Sequence, residues 1–163
     1  MKKLAVSTLV ILALFALVLP VSAAPSKVLT KTLLDKFLKD LPGIMADLQN
    51  LDDDVIEDLD MGGEEEDETF NPATIKSEMK KAFEQPEIRK VLAKYGWGDN
   101  FADVYFAVLF GYTCVMYEGF YAMYPSPETK SYIDQLKALV HQDDIAMVKA
   151  NEERISQAVD MDD

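Results

Sequence analysis

The chain has 163 residues and a formal net charge of −13, from 29 acids against 16 bases. That excess argues against nucleic acid and anionic membrane surfaces as partners, because both are held by Lys and Arg. A single Cys and a single His exclude an intrachain disulfide, thiolate and His-pair zinc motifs, and c-type haem attachment.

The first 23 residues read as a signal peptide. Lys2 and Lys3 precede an uncharged apolar run from Leu4 to Leu19, Pro20 breaks it, and Val21-Ser22-Ala23 supplies small residues for a cut after Ala23. The run is short for a membrane span of about 20 residues. The expected location is therefore periplasmic or secreted, with no stable membrane insertion after cleavage. Residues 1–23 carry two lysines and no acid, so the remaining 140 residues, Ala24 to Asp163, stand at −15 rather than −13. That length suits one domain, 24–163, with one core.

Leu29, Leu33, Leu34, Phe37, Leu38 and Leu41 recur at helical steps. Leu41-Pro42-Gly43 is expected to interrupt this first helix, because Pro lacks an N–H and disfavours helix at the residue before it. A second helix is expected to restart there along Ile44, Met45, Leu48 and Leu51. Val55, Ile56 and Leu59 extend its stripe into DDDVIEDLDMGGEEEDE, residues 52–68, of which eleven are acidic and none basic. Gly62 and Gly63 end helical order, and self-repulsion predicts a mobile loop near 60–70. Read as a calcium loop from Asp58, the stretch has Asp60 at position 3 and Gly63 at position 6. It has Gly62 at position 5 and Thr69 where a bidentate Glu belongs. Asp58, Asp60, Glu64 and Glu66 are thus only a weak metal candidate, suited to diffuse association with Ca2+.

Asn71-Pro72 signals a helix start, with Ile75, Met79 and Phe83 on one face. A short helix carrying Ile88, Val91, Leu92 and Tyr95 follows Pro86 and stops at Gly96. Trp97 is expected to plug the next corner. Asp99 is read as the cap of the longest segment, about 99–124. There Val104 to Tyr117 carries no charge, and the helix holds Tyr105, Tyr112, Tyr117, Tyr121 and Tyr124. Ser126-Pro127 opens another helix, and Asp143 or Asp144 opens the last, with Ile145, Val148, Ile155 and Val159. The fold class is all-α: a single bundle of about six helices around the apolar, Tyr-rich helix. Cys114, within an apolar run, is expected to be a buried reduced thiol.

No nucleophile elbow, phosphate loop or dinucleotide fingerprint is present, and no cofactor is implied. The expected function is that of an exported, soluble, non-catalytic binding protein, foremost a protein-interaction module. The alternative is a carrier of an apolar or amphipathic small molecule beside Tyr105, Tyr112, Glu118 and Tyr121. A third reading is an enzyme with an acid at Glu118, served by tyrosine hydroxyls and His141. A filled core with an exposed apolar patch favours the first, and an enclosed cavity beside Tyr112 and Glu118 favours the second.

Overall fold

The structure is a computed structural model that describes residues 24–51 and 72–159. The expected signal peptide, the acidic stretch with its four candidate ligands, and the expected Asn71 cap lie outside the described residues. Those residues form seven helices and no strand. They are α1 (Lys31–Leu48), α2 (Pro72–Phe83), α3 (Pro86–Lys94), α4 (Asn100–Met123), α5 (Pro127–Leu139), α6 (Gln142–Lys149) and α7 (Glu152–Val159).

The first correction concerns Pro42. It lies inside α1, which runs unbroken through it. A Pro in a helix interior costs about 3 kcal/mol. The helical phase carried past it buries Ile44 and Leu48 beside Leu34, Phe37 and Leu41, at about 1.5–3 kcal/mol for each side chain. Packing therefore outweighs the local penalty. Gly43 leaves room for the Tyr95 ring against this helix, since a Cβ at that position would lie 2.7 Å from Tyr95 Oη. Thr30 caps the helix by accepting the Leu33 N–H.

The second correction is at the C-terminal end. The expected last helix is two helices, α6 and α7, broken at Ala150-Asn151. The Asn151 side-chain amide donates to the Met147 carbonyl, satisfying an open acceptor at the end of α6. The break lets α7 turn onto α1, where Arg154 pairs with Asp35 at 2.9 Å. The start also differs. His141, not an acid, is the cap, and its Nδ1 accepts the Asp143 N–H at 3.1 Å. Asp99 precedes α4 but makes no side-chain cap bond; its carboxylate pairs with Arg89 instead.

α4 is the axis of the fold, with α5 and α6 as its most extensive neighbours. Ten of its residues are buried, from Phe101 to Val115. Gly111 sets the closest approach, because a Cβ there would meet Val148 Cγ2 of α6 at 3.0 Å. An aromatic cluster of Phe37, Phe83, Trp97, Phe101, Tyr105 and Phe106 binds α1 and α2 to the start of α4. Its rings meet mostly edge to face, at centroid separations of 5.3–6.3 Å. Trp97 is buried after the turn at Gly96, whose φ is +67°, and its Nε1–H donates to Asp40.

Before α1, residues 24–30 run without regular structure across the start of α6. Asp144 holds them there. Its carboxylate is 1% exposed and accepts the Val28 and Leu29 N–H groups, both at 2.8 Å. Lys27 and Asp143 pair beside it at 3.0 Å.

Candidate functional site

At 100° per residue, Tyr105, Leu109, Tyr112, Met116, Gly119 and Met123 advance by alternating steps of four and three and stay within about 80° of arc. They form one apolar seam about 27 Å long. The other side of α4, with Ala107 and Cys114, is buried against the bundle. The seam changes character along its length. At its start Tyr105 and Leu109 are half-buried and floor a groove of about 300 Å3 between α1 and α7. Phe37, Leu41, Met45 and Val159 also line this groove. In the middle, Tyr112 borders an open depression edged by Lys149, Glu152, Glu153 and Arg154. At the end, among the described residues, no other helix covers the seam: Met116 is 53% exposed and Met123 68%, with Phe120 beside them at 48%.

Among the described residues the large exposed hydrophobic side chains are Met45, Met116, Tyr117, Phe120, Met123, Tyr124 and Val159. Five belong to the last turns of α4 or its C-cap, and Met45 and Val159 line the groove at the seam's other end. Isolated exposed hydrophobics are ordinary, whereas their concentration on one face marks an interaction surface. α4 is long and apolar enough to cross a membrane by length and composition, a test that the core helix of a soluble bundle also passes.

The four residues expected at a ligand site have separate surroundings. Tyr105 packs within the aromatic cluster, and burial pushes its hydroxyl above the ordinary tyrosine range. Tyr112 lies on the same seam. Glu118 and Tyr121 do not: they fall about 160° and 140° away from Met116 around the helix. Glu118 turns toward α5 and α6, pairing with Lys137 at 2.7 Å and approaching Lys149 at 4.0 Å. The hydrogen bond from Lys137 to Glu118 holds the lysine above its usual range. Tyr121 is half-buried against the core.

Cys114 is fully buried, and desolvation, then the nearby Glu118 charge, push its thiol up. The Nδ1 lone pair of His141 is occupied by the Asp143 N–H. Among the described residues no cluster of His, Cys, Asp and Glu could hold a metal. A further cleft, about 540 Å3, opens at the start of α4, where the Arg89–Asp99 pair, Lys80 and Asp103 surround Trp97.

Two features escaped the sequence reading. The seam was hidden because α4 is apolar on nearly all sides, so periodicity does not say which side the bundle leaves bare. Asp144 was hidden because its partners lie 115 and 116 residues away. Comparison with protein-family models, curated proteins and solved structures finds no match to this chain.

Proposed function

We propose that this chain is an exported α-helical binding protein that docks a partner protein on the apolar seam of α4 and has no catalysis of its own. The observation that carries this reading is the gathering of exposed large apolar side chains on and beside the C-terminal end of the seam, with the groove continuing it at the other end. A helix face with apolar residues at alternating three- and four-residue spacing suits a helical occupant, which interlocks knobs into holes. Export rests on the N-terminal pattern. It is in keeping with this that the backbone from Val28 onward, a few residues past the expected cut, is pinned by Asp144.

Phe120→Asp and Met123→Asp test the reading. Both side chains are exposed, so helicity and the urea midpoint are expected to hold within about 0.5 kcal/mol. Association measured by sedimentation should be lost. Unchanged association in both variants would sink the proposal. The small-molecule carrier remains a second reading because the groove floored by Tyr105 and Leu109 is lined largely by apolar side chains. It predicts a stoichiometric organic adduct in native mass spectra of the exported protein.

A further inference from the structure

We infer that the groove floored by Tyr105 and Leu109 takes a small cationic amphiphile, a single apolar chain ending in an ammonium group. This rests on the second reading above, the small-molecule carrier, and names the ligand's class. The groove has room for one such chain and little more. Its volume of about 300 Å3 stands at the low end of small-molecule sites, which run from about 300 to 1,000 Å3. The walls decide the body of the ligand. Phe37, Leu41, Met45 and Val108 line the groove, and among its described lining residues only Tyr105 and Gln49 carry a polar side-chain atom. A charged head would find no partner among these side chains, so it belongs at the end that meets water.

The helices decide the sign of that head. On α1 the lining runs from Phe37 to the C-cap, Gln49, about 18 Å along the axis. Near the start of α7, Arg154 pairs with Asp35 at 2.9 Å, whereas Ala158 and Val159 at its end share the groove with residues 37–49. α7 therefore advances in the same sense as α1, and both helices point their C-terminal ends the same way along the groove. A helix C-terminus carries partial negative charge. Neither helix has a basic residue in its last turn to offset it. In the sequence, Asp160 follows Val159 directly, and Asp52, Asp53 and Asp54 come within five residues of Gln49. The long-range field of a strongly acidic chain has the same sign. This end of the groove thus favours an ammonium and opposes the carboxylate of a fatty acid.

The test titrates the full purified chain by calorimetry with octylammonium, octanol and octanoate, which share one apolar body and differ in head. Octylammonium should bind about tenfold more tightly than octanol and more tightly still than octanoate. The preference should shrink as NaCl rises from about 50 to 500 mM. Affinity should rise about fourfold per added CH2 from butylammonium to octylammonium. Gln49→Lys places a cation at the C-cap of α1, an exposed position where it suits the helix and spares the fold. It should weaken octylammonium about tenfold or less and strengthen octanoate. Equal binding of all three heads, or tighter octanoate, overturns the cationic ligand and leaves the carrier standing. Butylammonium bound as tightly as octylammonium, or octylammonium unaffected by Gln49→Lys, shows a cation held by acids elsewhere and overturns the groove as its site. If none of the probes binds, the carrier reading falls with it.

Discussion

Replacing Asp144 tests whether a single carboxylate fastens the start of the chain to the bundle. It accepts two backbone N–H groups at 2.8 Å while only 1% exposed. Hydrogen bonds to a charged group contribute about 1.5–3 kcal/mol each. Asp144→Ala removes both and leaves the buried Leu29 N–H without an acceptor, so the expected loss is about 3–6 kcal/mol. Asp144→Asn keeps one carbonyl oxygen and turns an N–H2 toward the other donor; about half that loss is expected. Against a total of roughly 5–15 kcal/mol for a domain of this kind, the Ala variant is marginal. The exposed Lys27–Asp143 pair alongside adds little, at most about 1 kcal/mol. The assay is urea unfolding followed by Trp97 fluorescence, with hydrogen exchange read at Val28 and Leu29. Deleting residues 24–29 in the Asp144→Ala background should cost less than in the parent, because the two changes remove the same bonds. An Ala variant within 0.5 kcal/mol of the parent, with both amides still protected, would refute the clamp.

Gly111→Ala should destabilise by about 1–3 kcal/mol in urea unfolding, because its Cβ would crowd Val148 Cγ2 at 3.0 Å. Burial, and then the nearby Tyr117, push Tyr132 up to about 12. For a tyrosine this means the folded state favours the neutral form. The stabilisation is therefore complete below pH 10 and lost as pH rises from 10 toward 12. Absorbance at 295 nm should show this late-ionising tyrosine together with alkaline unfolding. Glu118→Gln should change stability by under about 1 kcal/mol, because the Lys137 and Lys149 partners are themselves well exposed.

Helix positions were legible because apolar spacing in this chain is regular. α3, α4 and α5 lie close to where Pro86, Gly96, Ser126-Pro127 and the apolar runs place them. The errors have physical sources. Pro42 was read by its local cost, whereas the two core side chains beyond it, Ile44 and Leu48, decide the outcome. The α6–α7 break was invisible because Ile145, Val148, Ile155 and Val159 stay in a single heptad phase across it. Tyr105, Tyr112, Glu118 and Tyr121 were grouped by chemical type. Helix arithmetic separates them into a seam pair and two residues on other sides. The bare side of α4 depends on where α1, α5, α6 and α7 pack, and no local pattern encodes that.

The central claim is that the exposed end of α4 is covered in use. Hydroxyl-radical oxidation of Met116 and Met123 in cells exporting the chain, compared with the purified Phe120→Asp variant, tests it most directly. The account predicts that both methionines oxidise much more slowly in the cells than in the variant, with Met45 at the groove following them. Equal oxidation of all three in both samples would show that the seam faces solvent where the protein works, and would contradict the account.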